Sequence, residues 1–283
     1  MSADLVYQNQ KVSLLTQHGK QTLLRAPLET ALGCQLVHTD AYDTDLLGTF
    51  TWEQTRPGSQ LDAARKKAAI GMDLTQTSIG IASEGSFGMD PFGGLIPWNT
   101  EVVVWIDKNL DIEVVGIAQG PAQSLHKIIR SADELEAFAT DAHFPEHHLV
   151  VRPQDQDHPD IIKGVDNLAD LVKAFEWAKQ KSGNGHVFVE NDLRAHCNPT
   201  RQAFICKAAD NLIQKIRSAC PQCSAPGYWV TAQTPGLPCG ACGRKTHLPI
   251  GEVWSCSACQ HEDHKHFSIT GLADPSRCDF CNP

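Results

Sequence analysis

Two periods of hydrophobic and polar residues take turns along the first 217 positions. Short apolar runs predict strands at 12–15, 35–38 and 78–82, and a facing pair at 101–106 and 112–118 with a turn near Lys108 and Asn109. Between them, apolar residues recurring three and four apart predict helices at 20–32, where Pro27 intrudes, and at 61–72, 132–139 and 168–180. A further strand falls at 187–189. Ser131 is placed to cap the helix at 132, with acids in the first turn where the helix dipole favours them. The last helix begins at Asn198, a good N-cap, followed by Pro199 at the first helical position. Its core stripe is Phe204, Ala208, Leu212 and Ile216. Strands alternating with helices predict an α/β domain over 1–217, a mixed sheet with flanking helices, with a sub-boundary allowed near 145–160.

From 218 onward the pattern breaks and cysteine takes over. The chain of 283 residues holds eleven cysteines. Cys34, Cys197 and Cys206 are scattered, and the other eight form four C-x2-C pairs: Cys220/Cys223, Cys239/Cys242, Cys256/Cys259 and Cys278/Cys281. Each pair puts two thiolates on one side of a tight knuckle, and two knuckles complete the tetrahedral sulfur set that structural Zn²⁺ prefers. Residues 218–283 are therefore expected to be a zinc-ribbon-like module with two zinc ions. A disulfide framework fits a secreted chain better than one without a secretion signal. Spacing leaves the pairing open. A nested arrangement, with Cys239/Cys242 and Cys256/Cys259 closing a ribbon around a turn at Pro249-Ile250-Gly251, is weakly favoured over sequential or interleaved pairing.

Composition narrows the class. With 41% hydrophobic and 20% charged residues, the chain is neither disordered nor fibrous. Apolar runs such as Val102-Val103-Val104-Trp105-Ile106 fall far short of the roughly 20 residues that cross a bilayer, and Asp4 stands where a signal peptide would carry basic residues. No membrane association is expected, and the expected location is the cytoplasm. Nucleic acid is a poor partner for a net charge of −9. The cysteine-rich tail has four Lys/Arg (Arg244, Lys245, Lys265, Arg277) against five Asp/Glu, and each tetrathiolate zinc centre adds about two negative charges. That tail reads as a stapled module that packs on the body or docks a protein partner. His261, His264 and His266 read as a solvated polar loop, with a role as alternative metal ligands the lesser reading.

Ligands of open α/β sheets sit beyond the carboxyl ends of strands, and two such ends are rich in polar groups. The first is Ser83-Glu84-Gly85-Ser86-Phe87-Gly88, a glycine-rich loop after an apolar strand, with Glu84 as a candidate ligand for Mg²⁺. A hairpin turn with a solvated acid would read the same way. The second, Glu190 to Arg201, leads into a helix N-terminus. There Arg194, Thr200 and Arg201 are candidates to hold an anion, and Asp192 and His196 to act as metal ligand or base. A buried ion-pair network is the competing reading. Lys20 lies at another strand-to-helix turn, Thr16-Gln17-His18-Gly19-Lys20. Asp43, Asp45 and Thr49, and Arg56 ahead of Arg65-Lys66-Lys67, are weaker candidates to add charge to a cleft, and each taken alone reads as a solvated face.

These segments resemble a bacterial family classed as a domain of unknown function. The matching stretches are Asp43-Thr44-Asp45…Gly48-Thr49-Phe50, Ala82 to Gly88, Arg194-Ala195-His196…Asn198-Pro199-Thr200-Arg201 and the closing Cys278-Asp279-Phe280-Cys281-Asn282-Pro283. A more distant likeness is to the inosine/xanthosine triphosphate pyrophosphatases. It rests on Thr16-x-x-x-Lys20, the basic helix Ala63-Ala64-Arg65-Lys66-Lys67-Ala68 and Gly80-Ile81-Ala82-Ser83-Glu84-Gly85. That resemblance implies Lys20 and Lys67 as phosphate ligands and Glu84 as a Mg²⁺ ligand. It departs at His18, where that family has Asn, and at an acidic loop with a single carboxylate. The expectation is a Mg²⁺-dependent hydrolase of a nucleotide or other phosphorylated small molecule. The alternative is a non-enzymatic zinc protein that binds an anion or another protein.

Overall fold

A computed structural model describes residues 6–47, 58–268 and 270–282. Gly48, Thr49, Phe50, Arg56 and Pro283 lie outside the described residues. The body carries two sheets. The first is built from β1 (Lys11–Leu15), β2 (Gln35–Thr39), β3 (Ile79–Met89), β4 (Pro97–Asp107) and β5 (Ile112–Pro121), in the order β2-β1-β3-β4-β5. β1, β2 and β3 are parallel, and β4 and β5 return antiparallel. The second sheet, β6 (His126–Ile129), β7 (Leu149–Pro153), β8 (Ile162–Val165) and β9 (Val187–Asn191), is antiparallel in the order β6-β9-β7-β8. The chain changes sheet between Pro121 and His126, and the stretch 145–160 contains β7.

Helices cover the first sheet on both faces. α1 (Lys20–Leu32) and α5 (Pro199–Arg217) lay Leu24, Leu28, Ile205, Ala208 and Leu212 against Val12, Leu14, Ile81, Val103 and Trp105. α2 (Gln60–Thr75) lays Ala64 and Ala68 on the opposite face, against Ala82, Val102 and Val104. Pro27 lies within α1 without ending it. α3 (Ala132–Asp141) and α4 (Leu168–Lys181) bury Leu135, Phe138, Leu171 and Phe175 against the second sheet. Among the described residues, no helix is long and apolar enough to cross a membrane.

The loop expected after the third strand is corrected. Ser83 to Gly88 is not a loop after the strand: β3 runs on to Met89, because each of its residues pairs with one of β4, from Ile79↔Asp107 to Met89↔Pro97. Its parallel neighbour β1 is shorter, and the last pairing between them is Leu14↔Ile81. Beyond Ile81, β3 runs on past the end of β1, and the notch where β1 stops carries the polar groups.

The tail forms a third sheet, β10 (Trp229–Pro235), β11 (Pro249–Ser255) and β12 (Glu262–His266), all antiparallel with β11 in the centre. Pro249-Ile250-Gly251 opens this central strand and is not a turn, and His264 and His266 lie in β12, a strand and not a loop, because they pair with Val253 and Gly251 of β11.

Close approach of α5 to β5 depends on Gly116, where an added Cβ would collide with the Ala208 carbonyl oxygen. Gly116→Ala is expected to destabilise the protein by about 1–3 kcal/mol, as overpacking does. Gly88→Ala, with no atom near its added Cβ, should stay within about 0.5 kcal/mol. Urea denaturation of both variants checks this contrast.

Candidate functional site

Gly19 has φ 72°, a left-handed conformation that glycine adopts without strain, and it turns the chain from β1 into α1. Lys20 is thereby aimed at the notch. Its ammonium donates to the Ser83 carbonyl at 2.6 Å and to Ser83 Oγ at 3.4 Å. The next residue, Glu84, points to the α2 face, where its carboxylate pairs with Lys67. On the α5 face, Arg201 Nε donates to Glu101 Oε1 at 2.8 Å and Nη1 to the Leu193 carbonyl at 2.5 Å. The Arg201 guanidinium also faces the ring of Phe87, 5.8 Å away. Gln60 ties the extended hairpin to α2, donating to the Glu84 and Thr100 carbonyls at 2.6 and 2.8 Å.

Three cations and two carboxylates thus gather where β1 stops. Lys20, Glu84, Glu101 and Arg201 are all buried. Burial pushes the Lys20 ammonium down to about 7, helped by the nearby charges of Arg201 and Lys67 and opposed by Glu84 and Glu101. At Gly85 an added Cβ would meet Glu101 Oε1 and lie 2.6 Å from Arg201 Nη2, so the glycine lets the ion pair lie flat across β3. Of the basic run on α2, Lys67 faces the cluster, whereas Arg65 turns outward to Glu113 and Asp62.

The Asp192–Arg201 segment divides its groups. The Asp192 carboxylate is held by Arg194, with Nη2 at 2.6 Å and Nε at 3.0 Å. Burial raises the Asp192 carboxyl pKa, but those hydrogen bonds outweigh it and keep the group below its usual range. Thr200 Oγ1 lies 2.9 Å from His147 Nε2. The helix N-terminus is closed, because the Asn198 side chain accepts from the Arg201 amide. The exposed ring of His196 stacks on His18 at 5.8 Å, placing this loop against the β1–α1 turn. Burial, then Arg194 and His18, lower the His196 pKa. Arg201 therefore joins Lys20, Lys67 and Glu84. Asp192, Arg194 and Thr200 are engaged locally, and His196 lies beside the cluster through His18.

Glu101 and Asn99 were not anticipated. Both are fully buried on the α5 face of β4, in phase with Val103 and Trp105. A period-two reading of the stretch from Asn99 to Asp107 would have flagged them as polar side chains on a core face. Neither amide atom of Asn99 has a hydrogen-bond partner among the described residues, nor does Glu101 Oε2. Leaving a buried amide so costs about 1–3 kcal/mol.

The cysteines form two separate sets, Cys220, Cys223, Cys256, Cys259 and Cys239, Cys242, Cys278, Cys281, with all sulfurs in each set within 4.8 Å of one another. Pairing is interleaved, not nested. β11 separates the second knuckle from the third by a strand of seven residues, so they stand at opposite ends of it. Antiparallel pairing of Trp229 with Ser255 brings the first knuckle beside the third. Facing sulfurs lie at 3.7 Å in the first set and 3.7 and 3.8 Å in the second. A tetrahedral ion with Zn–S bonds of about 2.3 Å requires about 3.8 Å between sulfurs, whereas a disulfide requires about 2.05 Å. The donor sets fit structural zinc. Backbone amides of Cys242 and Ala241 lower the Cys239 thiol pKa, which favours the thiolate that binds metal.

These features define an α/β protein with a buried charge cluster at the edge of its main sheet and a tail cross-braced by two tetracysteine centres. The chain belongs to the family described as a domain of unknown function, DUF6671, which matches residues 67–283. No curated protein and no solved structure matches it. The matched span includes Lys67, Glu84, Glu101, Arg201 and all eight paired cysteines.

Two outcomes follow from the geometry. Metal analysis of purified protein is expected to find about two zinc ions per chain, falling to about one in Cys256→Ser, since the centres share no ligand. Glu101→Gln leaves Arg201 buried without its counter-charge and should cost about 3–5 kcal/mol in denaturant unfolding. The double variant Glu101→Leu/Arg201→Met should recover much of that loss.

Proposed function

We propose that the cluster at the notch is an anion site and that the protein is a Mg²⁺-dependent hydrolase of a nucleotide or another phosphorylated small molecule. The observation that carries this reading is the convergence of Lys20, Lys67 and Arg201 on Ser83, Glu84 and Glu101 beyond the end of β1. Phosphoryl transfer asks a protein mainly for positioning and for positive charge around the phosphate oxygens. Lys20 and Arg201 are fixed by the fold, and Lys67, the least buried of the three, would meet an incoming phosphate first. Glu84 is the carboxylate that would hold Mg²⁺, which commonly binds one or two carboxylates together with substrate phosphate. When bound, the ion would neutralise charge on those oxygens. His196, exposed beside His18, is the candidate general base, while the Asp192–Arg194 pair orders the loop that carries it. The order of Lys20, Lys67 and Glu84 along the chain, which resembles that of the inosine/xanthosine triphosphate pyrophosphatases, supports the same reading.

One observation favours a second reading. Each buried carboxylate is already matched to a cation, Glu84 to Lys67 and Glu101 to Arg201, as in a site that binds an anion without turning it over. In that case the zinc module would serve as the docking arm for a protein partner.

Assays with nucleoside triphosphates and phosphate esters, with and without Mg²⁺, separate the two. The hydrolase reading expects Mg²⁺-dependent phosphate or pyrophosphate release that falls at least about tenfold in Glu84→Gln and in Lys20→Ala. Binding without turnover under all conditions supports the second reading, and neither binding nor turnover contradicts both. The Lys20 pKa sets the pH dependence. An anion prefers charged Lys20, so affinity should be full below about pH 7 and fall by up to tenfold per unit as pH rises above it. Lys20→Arg, charged throughout, should abolish that decline.

A further inference from the structure

We propose that Asn99 is the specificity-determining residue of this site and that it reads the polar edge of a nucleobase. The inference rests on the anion site proposed above and names what is attached to the anion. Asn99 is fully buried, yet both amide atoms lack a hydrogen-bond partner among the described residues, and Glu101 Oε2, two residues along the same face of β4, lacks one as well. Buried polar groups are almost always hydrogen-bonded, so an amide with its donors and acceptor unspent marks a place where something else supplies the partners.

The surroundings say what that is. Asn99 sits directly opposite Phe87 in the β3–β4 register, so their side chains are neighbours on one face. Phe87 is half-buried, and its ring faces the Arg201 guanidinium at 5.8 Å. On the other side, Asn99 is opposite Gly120, whose missing side chain makes room for the Phe204 ring. A flat heteroaromatic ring can stack on Phe87 while its edge meets the amide of Asn99 and the free oxygen of Glu101. An Asn amide matches adjacent donor and acceptor atoms on a base edge, and Glu101 accepts from a ring or exocyclic N–H. Arg201, paired with Glu101 and close to Phe87, lies between this end and the phosphate end. A bare polyphosphate would leave Asn99 unspent.

The test uses the full chain with its zinc, in Mg²⁺-free buffer to prevent turnover, and measures affinity for inorganic tripolyphosphate and for ATP, GTP, CTP and UTP by calorimetry. The wild type is expected to bind at least one nucleotide about tenfold or more tightly than tripolyphosphate, in line with one good bidentate base contact. Asn99→Leu should bring that nucleotide to within about threefold of tripolyphosphate and leave tripolyphosphate affinity unchanged. Asn99→Ser, which keeps a small polar side chain, should lose the preference in the same way and serves if the leucine variant fails to fold. Equal binding of nucleotides and tripolyphosphate by the wild type, or a preference retained in the variants, would overturn the proposal and leave Asn99 as an amide served by buried water. Failure of tripolyphosphate itself to bind would overturn the anion site and this inference with it.

Discussion

A charge taken out of water must be met by another charge or by aligned dipoles, and that constraint organises the end of the first sheet. Arg201 is met by Glu101 and the Leu193 carbonyl, Lys20 by Ser83, and Glu84 by Lys67. These contacts draw on β3, β4, α1, α2 and α5, so the arrangement exists only when the sheet and its three covering helices are assembled. Ion pairs of this kind add little net stability compared with a well-packed apolar core. Their concentration at the carboxyl end of a parallel strand, where β1 stops, is the reason for reading them as a site.

The zinc module meets a different constraint with a related solution. Its buried apolar cluster is small, formed by Tyr228 and knuckle cysteines with Trp254 and Ala225 packed against it. A segment of that size needs a staple, and two metal centres provide it. Interleaving has a mechanical consequence. Each centre joins segments far apart in the sequence, Cys220 with Cys259 and Cys239 with Cys281, so neither end of the module can loosen without opening a metal site.

Much of this was legible in the chain. The helices at 20–32 and 199–217 and the antiparallel pair around Lys108 follow from apolar periodicity and from caps such as Asn198, and four C-x2-C knuckles announce their metal. Strands β6 and β8, four residues each, were too short to register, and β7 was obscured by Arg152 and Pro153 in an otherwise apolar run. Ser83 to Gly88 reads as a loop because its glycines suggest a turn. Only pairing with β4, a long-range fact, makes it strand. For the same reason the site was visible in part. Lys20, Lys67, Glu84 and Arg201 stood out by charge near strand ends, whereas Glu101 and Asn99 were hidden by the strand they belong to. Knuckle pairing could not be read because it depends on which strand lies in the centre of the third sheet.

The central claim is that the buried cluster beyond the end of β1 receives an anion. Titration of the Lys20 side-chain nitrogen by NMR, alone and with inorganic tripolyphosphate, tests it most directly. The account predicts a pKa of about 7 in the free protein and a rise when tripolyphosphate is added, because the bound anion favours the ammonium. A Lys20 pKa near the ordinary value of about 10.4, unmoved by tripolyphosphate, would contradict it.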